Sequence, residues 1–212
     1  MNTLHENKID FFNERAEQWL DMFYLDESTG TYTKFSQEFD RLFSLANLEQ
    51  GDCVLDVGCG SGILVNYILP LIGKTGHLYE LDYASKMIEV NQKLHQDSRI
   101  EFLNIDLLDL SLDKESCDAV FCFSCFPHLG NKDNAMAIFH NVLRIGGKLV
   151  ISHFDSASDL NQHHRQYPEV KHDMLPTTEE MENLMNNNGF VIHQFIDEKG
   201  FYCLLAEKIA GV

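Results

Sequence analysis

Three glycines at alternate positions, Gly58, Gly60 and Gly62, follow an apolar segment in which Asp56 is the only acid. Glycine has no Cβ, so the backbone can turn sharply there and a ligand can lie directly against it. The preceding residues 53–57 are short and apolar, which predicts a buried strand. A strand, a glycine turn and a helix place free amide groups at the carboxyl edge of a parallel sheet, where open α/β proteins bind ligands. The segment therefore predicts a nucleotide-like ligand.

A second acid, Asp82, follows the next predicted strand, residues 77–81, and lies 20 residues beyond Gly62. A βαβ unit brings a carboxylate to a ribose at about this distance, and a carboxylate can accept hydrogen bonds from both vicinal hydroxyls. Two alternatives remain open. Asp82 could cap the following helix, or Glu80 could be the binding acid, although strand alternation should turn Glu80 to the other side.

The segment VLDVGCGSG, residues 54–62, resembles the first motif of class I S-adenosylmethionine-dependent methyltransferases of the small-molecule type, whose usual ligand is S-adenosylmethionine (SAM). Its glycine spacing differs from the Gly-x-Gly-x-x-Gly of dinucleotide dehydrogenases, whose third glycine serves helix packing beneath a pyrophosphate. The resemblance implies that Gly58 and Gly60 lie against the methionine portion of SAM. It also implies that Asp56 supports this portion, through its amino group or a water.

The resemblance extends to the adenosine portion of the ligand. In the family, the acid at the second strand end binds the ribose, which implies this role for Asp82, in a segment that includes Tyr83 and Met87. An acid after the third strand contacts the adenine amino group, and the next backbone amide contacts a ring nitrogen; these roles fall on Asp106 and Leu107. An ionised Asp only accepts hydrogen bonds, which suits an exocyclic amine. Without the motif, the sequence would predict that Asp106 is an acid in a surface loop.

Two later strand ends carry candidates for the acceptor side of the site. The segment after the fourth predicted strand contains Ser124 and His128, and in the family the corresponding loop lines the methyl donor and the substrate. His128 is therefore a candidate general base or substrate contact. His153, after the fifth strand, is a candidate for positioning or deprotonating an acceptor. A structural role is the alternative for both.

The region 153–172 is rich in histidine. Neutral imidazole and Asp are good ligands for divalent metals, which makes a metal site one hypothesis; its candidate ligands are His153, His163, His164 and His172. The spacing matches no metal motif, and we predict no metal. The alternatives are a substrate-facing cap insert at about residues 154–176 or plain surface packing.

The elements that must position these residues are predicted from apolar periodicity and from the resemblance, which covers Phe11 to Glu207. It implies an α/β, Rossmann-like fold with a seven-stranded sheet, mostly parallel with the last strand antiparallel, helices on both faces and an N-terminal helical lid. Residues 1–50 are predicted to be a helical cover within the same domain, and residues 51–212 the SAM-binding methyltransferase domain.

Local signals add detail to this organisation. Residues 9–23 have the periodicity of one amphipathic helix, preceded by a capping box at Thr3 and Glu6. The other predicted features are helices over 35–46, 63–69 and 133–143, a glycine turn over 144–147, a capping box at Thr177 and Glu180, and a final hairpin over 190–207.

Composition limits the possible partners. Against 33 Asp and Glu there are 16 Lys and Arg, a formal net charge of −17, which disfavours a nucleic-acid partner because binding to phosphates relies on a basic face. No basic N-terminal segment followed by an apolar run and no membrane-length apolar stretch is present, so we expect a cytoplasmic protein without a membrane partner. Six cysteines fit reduced thiols, and we expect no special role for Cys122-x-x-Cys125.

These observations predict an enzyme that transfers a methyl group from SAM to an unidentified small-molecule acceptor. Two other classes remain as alternatives. One is a SAM-binding protein that does not transfer methyl groups. The other is an NAD-dependent oxidoreductase, which the glycine spacing disfavours.

Overall fold

The structure is a computed structural model that describes residues 3–211, without the side chains of residues 3–6. The predicted capping interaction between Thr3 and Glu6 therefore lies outside the described residues. The strands are β1 (Cys53–Val57), β2 (His77–Leu81), β3 (Ile100–Leu103), β4 (Cys117–Phe123), β5 (Leu143–His153), β6 (Phe190–Glu198) and β7 (Phe201–Lys208).

All these strands form one sheet in the order β3-β2-β1-β4-β5-β7-β6. Strand β7 is antiparallel to β5 and β6, and the other neighbouring strands pair in parallel. This confirms the predicted α/β, Rossmann-like sheet. The chain moves outward in one direction from β1 to β3 and in the other from β4, so the switch point lies between β1 and β4. Open α/β sheets bind ligands at the carboxyl ends of the strands beside such a point.

Helices cover both faces of the sheet. They are α1 (Thr3–Asn13), α2 (Trp19–Tyr24), α3 (Ser36–Ala46), α4 (Val65–Ile72), α5 (Ser85–Leu94), α6 (Lys132–Val142), α7 (Ala157–His164) and α8 (Thr178–Asn187). Short 3-10 helices span Ala16–Gln18, Leu107–Asp109 and Phe126–His128. No helix within residues 3–211 combines the length and the apolar composition needed to cross a membrane.

The alternation of side chains along β1 explains both the core and the placement of the site. Leu55 and Val57 pack into a buried cluster with α6 and α8, whereas Val54 packs into a second cluster with α3 and α4. Successive strand residues point to opposite faces, so Asp56 shares the face of Val54. Its carboxylate thus enters the interior beside the glycine loop.

The N-terminal segment differs from the single amphipathic helix that was expected over residues 9–23. Helix α1 ends at Asn13, and a 3-10 turn precedes α2. Two side chains stabilise the interruption: the Arg15 guanidinium donates to the Phe11 carbonyl at 2.8 Å, and the Asn13 amide oxygen accepts from the Lys86 backbone amide at 2.9 Å. The second bond fixes the end of α1 against α5.

Helix α4 also differs from its prediction. It begins at Val65 instead of Ile63, because the glycine loop continues to that point, and it passes through Pro70 before ending at Ile72. Proline lacks a backbone N–H, so the carbonyl of Asn66 has no helical donor four residues on. Asn66 is exposed, which allows water to satisfy that carbonyl.

Two further elements were predicted differently. Helix α7 lies inside the insert for which no helix was predicted; the Ser156 hydroxyl caps it by accepting from the Asp159 amide at 3.1 Å. Strand β5 begins at Leu143 and contains the glycine segment expected as a turn, in an irregular stretch where the register with β4 shifts. The capping box of Thr177 and Glu180 at the start of α8 is present as predicted.

Candidate functional site

The glycine loop after β1 is held against the ends of two neighbouring strands. The backbone amides of Gly58 and Cys59 donate to the Leu81 carbonyl at 2.8 and 3.0 Å, which fixes the loop across the end of β2. Gly58 has a φ of +69°, and a Cβ there would lie 2.4 Å from the Cys125 sulfur. Only glycine therefore allows the loop to pack against the segment after β4.

Asp56 is a buried acid without a partner. Its side chain is 1% exposed, and neither carboxylate oxygen has a hydrogen-bond partner among the described residues. Burial, and then the charge of Asp82, raises the pKa of Asp56 to about 8. Such a group is satisfied by a ligand that brings a positive charge and N–H donors.

Glu80 lies opposite Asp56 in the register of β1 and β2 and is also fully buried. Its carboxylate accepts from the Asn91 side-chain amide on α5 at 2.6 Å, and burial holds its pKa well above the usual range. Glu80 therefore shares a face with Asp56, contrary to the expectation that strand alternation would turn it away, and its bond to Asn91 holds it under α5. The acid that reaches the cavities from this strand end is Asp82.

Asp82 joins the glycine loop to the turn after β2. One of its oxygens accepts from the Gly60 amide at 3.0 Å, and the other accepts from the Ala84 amide at 2.8 Å. Burial raises the pKa of Asp82 to about 6, although both hydrogen bonds oppose this rise. Each carboxylate oxygen has a second lone pair, so the same group can still accept from a ligand. The Asn104 side chain supports this turn by donating to the Asp82 carbonyl at 2.9 Å.

Asp106 and Leu107 follow β3 at the same edge of the sheet. Asp106 caps the short 3-10 helix that begins at Leu107, because its carboxylate accepts from the Leu108 amide at 2.9 Å. Leu107 is buried. The structure therefore brings the two residues to the carboxyl side of β3, beside Asp82 and Tyr83 in the lining of one cavity.

Two adjoining cavities of about 60 and 420 Å³ open at this edge. The smaller is lined by Asp56, Gly60, Met87 and Ser124, and the larger by Asp106 and Leu107. The residues common to both are Gly58, Asp82, Tyr83, Cys125 and His128. The larger cavity falls within the ~300–1,000 Å³ typical of small-molecule sites. Every SAM-binding residue predicted from the sequence thus lines at least one of these two cavities.

His128 and His153 occupy different environments. His128 borders both cavities, and its Nδ1 lies 2.9 Å from a carboxylate oxygen of Asp173. His153 is 2% exposed. Of residues 3–211, those that line the two cavities do not include His153. Burial lowers the pKa of His153 to about 3, so this imidazole is neutral. The placement supports His128, and not His153, as a residue that an acceptor can reach.

The other histidines of the insert are dispersed. His164 is buried beside the Asp173 carbonyl, His163 packs against the ring of Tyr167, and His172 lines the larger cavity. Within residues 3–211, no group of three or more His, Cys, Asp or Glu side chains is arranged to hold a metal ion. The geometry gives no support to the metal hypothesis for this region.

Several residues that line the cavities were not among the site residues predicted from the sequence. Lys8 and Asp173 line the larger cavity, and Trp19 and Tyr24 line the smaller one. Ser124, which lines the same cavity as Tyr24, has a φ of +52°, which is unusual for a residue with a side chain. Aromatic residues at helical spacing are ordinary core residues, so no local pattern could assign Tyr24 to a ligand site, whereas Trp19 lies in the N-terminal segment that the resemblance implied to be a lid.

Comparisons with known proteins agree with this geometry. Residues 55–151 match the family described as methyltransferase domain. The chain is 31% identical to the chloroplastic 2-phytyl-1,4-beta-naphthoquinone methyltransferase of Arabidopsis thaliana over 54% of this chain and 46% of that protein. It is 27% identical to the 2-phytyl-1,4-naphtoquinone methyltransferase of Nostoc punctiforme over 52% and 50% respectively. The chain thus spans about half the length of these curated relatives.

The fold is likewise similar to solved structures. A SAM-dependent methyltransferase from Aquifex aeolicus superposes with a TM-score of 0.72 at 17% identity, covering 93% of this chain and 98% of that one. SAM is the cofactor that the family uses. Residues 55–151, a little under half of the chain, thus match the methyltransferase domain family, and the whole sheet has the fold of a SAM-dependent methyltransferase.

Proposed function

We propose that this chain transfers a methyl group from SAM to a small-molecule acceptor. The observation that carries the proposal is the placement of Asp56, Asp82 and Asp106. They lie in β1 or just after β2 and β3, at one edge of the sheet, and line two adjoining cavities. An extended ligand with an amino group, a ribose and an adenine can meet one acid at each of these parts.

The residues fit the methionine portion of SAM beside β1. The buried carboxylate of Asp56 has no partner among residues 3–211, and an ammonium group would supply both charge and donors. Gly58 and Gly60 give this portion a backbone surface without Cβ atoms. Ser124 and Met87 line the same cavity.

The residues also fit the adenosine portion. Each carboxylate oxygen of Asp82 accepts from one backbone amide and keeps a second lone pair. These lone pairs would accept hydrogen bonds from the ribose hydroxyls. Asp106 would accept from the adenine amino group, and the Leu107 amide would donate to a ring nitrogen. Tyr83 lines both cavities and would lie against the adenosine.

In the proposed mechanism, the chain mainly positions the reactants. Bound SAM supplies a methyl group on a positively charged sulfur, so the protein need only hold an acceptor in line with it and exclude water. The smaller cavity is walled by the aromatic side chains of Phe12, Trp19 and Tyr24. We propose that residues 1–50 act as a cover over SAM and that the insert 154–176, which brings Asp173 to the larger cavity, acts as a cap over the acceptor.

A small molecule is the favoured acceptor. The net charge of −17 opposes binding to a phosphate backbone, and the larger cavity has the size of a small-molecule site. The relatives from Arabidopsis thaliana and Nostoc punctiforme are both named as methyltransferases of a naphthoquinone. These names are consistent with a small-molecule acceptor. The six free cysteines, five of them buried, fit a reducing, cytoplasmic location.

Two measurements test the proposal. Calorimetry should detect binding of SAM and of its demethylated product, and the protein should transfer label from methyl-labelled SAM into a metabolite extract. Binding of neither compound would contradict the proposal. Binding without transfer would instead favour a SAM-binding protein, and displacement of SAM by NAD in a melting assay would favour an oxidoreductase.

A further inference from the structure

A chain of polar side chains joins the N-terminal helix to the insert beside the cavities. One carboxylate oxygen of Asp173 lies 2.9 Å from Nδ1 of His128, and the other accepts from the Lys8 ammonium at 2.6 Å. The side chain of Asp173 is 9% exposed, that of His128 is 14% exposed and that of Lys8 is 15% exposed. They come from α1, the segment after β4 and the insert, so tertiary packing alone brings them together.

This arrangement determines which nitrogen of the neutral His128 ring carries the proton. Although burial opposes it, the hydrogen bonds from His128 and Lys8 hold the pKa of Asp173 below its usual range. An ionised carboxylate only accepts hydrogen bonds, so Nδ1 of His128 must carry a proton. The neutral imidazole then has its lone pair on Nε2.

The ring also has a fixed orientation. The Phe12 ring packs edge-on against His128 with the centroids 5.4 Å apart, and the His164 ring lies 5.0 Å away. Both cavities are bordered by His128, whereas Asp173 lines only the larger one. Lys8 bonds to the Asp173 carboxylate, and Lys132, His153, His164 and Tyr83 interact electrostatically with this carboxylate or with the His128 ring.

We infer that Asp173 is a positioning residue that holds His128 with Nε2 ready to take a proton from a hydroxyl group of the acceptor. This inference rests on the proposed methyl transfer and adds the substrate class, an alcohol or phenol. The position of His128 between the two cavities supports this inference. A side chain there can contact an acceptor in one cavity while that acceptor faces the methyl group near the other.

The step balances as follows. A lone pair of the acceptor oxygen forms the new bond to the methyl carbon, while the bond from that carbon to sulfur breaks and its electron pair remains on sulfur. The hydroxyl proton moves to Nε2 of His128, and the resulting imidazolium is stabilised by the Asp173 carboxylate. The proton later leaves to solvent.

A base matters more for hydroxyl acceptors than for thiols. A phenol titrates near pH 10 and an alkyl thiol near 8.5, and aromatic thiols are more acidic still. At mildly alkaline pH an aromatic thiol is already ionised and needs no base, whereas its hydroxyl analogue does. Matched hydroxyl and thiol acceptors therefore separate proton removal from a merely structural role of His128.

The first test needs no acceptor. Nitrogen-15 NMR of the wild-type protein should show the neutral His128 ring protonated at Nδ1, and Asp173→Asn should lose this preference. Asp113→Asn, at an exposed loop position, is the matched control and should keep it. A wild-type ring protonated at Nε2 would overturn the inference.

The second test measures transfer from labelled SAM to 2-naphthol and to 2-naphthalenethiol, with phenol and thiophenol as a smaller pair. For the hydroxyl acceptors, His128→Gln should lower kcat by ~10²–10⁴-fold, and Asp173→Asn by a smaller factor with its pH profile displaced. KM and transfer to the thiols should change little. His193→Gln, at an exposed surface histidine, is the control for His128→Gln.

The outcomes separate the two proposals. Absence of SAM binding in the wild-type protein would contradict the proposed function itself. Transfer to the thiols but to neither hydroxyl acceptor, or full hydroxyl transfer in His128→Gln, would overturn only the inference about His128 and Asp173. An equal loss of hydroxyl and thiol transfer in both variants would show a structural role and would also overturn it.

Discussion

The backbone amide of Gly60 donates a 3.0 Å hydrogen bond to the side chain of Asp82. This bond connects the loop proposed to hold the methionine portion of SAM with the acid proposed to hold its ribose. The bond is local to neither element, since the residues follow different strands of the sheet. A change at Asp82 should therefore affect both halves of the ligand site.

We expect Asp82→Asn to bind SAM and its demethylated product about 10–100-fold more weakly than the wild type. An amide can still accept one hydrogen bond, but the loss of charge removes charge-assisted bonds worth ~1.5–3 kcal/mol, and each ~1.4 kcal/mol is a factor of ten. Calorimetry measures the affinities, with Asp113→Asn as the control. Unchanged binding of both ligands would remove Asp82 from the site.

The glycine loop should be more sensitive to added bulk than other glycine positions. Gly62 has a φ of +85°, and a Cβ there would lie 2.2 Å from the Asn91 side-chain oxygen. Asn91 is fully buried and bonded to Glu80, so it cannot move aside easily. Gly146 has a similar φ of +78° but nothing within 4 Å of its Cβ position.

Gly146→Ala should thus cost only backbone strain, ~1–3 kcal/mol, whereas Gly62→Ala should lose about 1–3 kcal/mol more through overpacking. Urea unfolding of both variants measures the difference in the free energy of unfolding. Equal destabilisation of the two would show that the contact with Asn91 relaxes freely.

The parts of the structure that the sequence predicts are those with local signals. Apolar runs mark the strands of the parallel sheet, and the glycine pattern marks the loop after β1. Asp82 could be placed because it directly follows a strand and parallel strands end at the same edge, whereas Asp106 was placed only through the resemblance to the family. The capping box is likewise a local signal, because Thr177 and Glu180 are only three residues apart.

The remaining features depend on contacts between distant segments. Helix α7 buries little more than Leu160 and His164, so its apolar periodicity is too weak to detect. Asp173 meets His128 and Lys8 across wide separations in sequence, and no local pattern encodes such a meeting. The division of the chain into a cover and a cap stays a prediction for the same reason.

The stability of the ligand-free protein should fall as pH rises. The pKa of Asp56 is raised to about 8 in the folded state, against about 3.9 for an unperturbed Asp. Between these values the folded state holds a proton that the unfolded state has released. Since the free energy of unfolding falls with pH wherever the folded state binds more protons, this contribution is present at low pH and is lost as pH approaches 8.

We expect Asp56→Asn to reduce the slope of stability against pH between about pH 6 and 8, by up to ~1.4 kcal/mol per pH unit for one proton. Glu80, whose pKa is also raised by burial, should retain part of the dependence. Urea unfolding at a series of pH values provides the slopes, and Asp113→Asn should match the wild type. An identical slope in Asp56→Asn would mean that Asp56 is ionised in the folded protein.

Binding of SAM should change the fluorescence of Trp19, which is the only tryptophan in the sequence. Its ring nitrogen lies 3.6 Å from the position that a Cβ on Gly60 would occupy, and it lines the smaller cavity. A ligand against the glycine loop must therefore contact this ring or displace it. Titration with SAM should give a saturable change with the Kd found by calorimetry. Trp19→Phe should lose the signal, and its affinity should fall if residues 1–50 cover the ligand. An unchanged emission at saturating SAM would contradict the cover, because the indole would then be remote from the bound ligand.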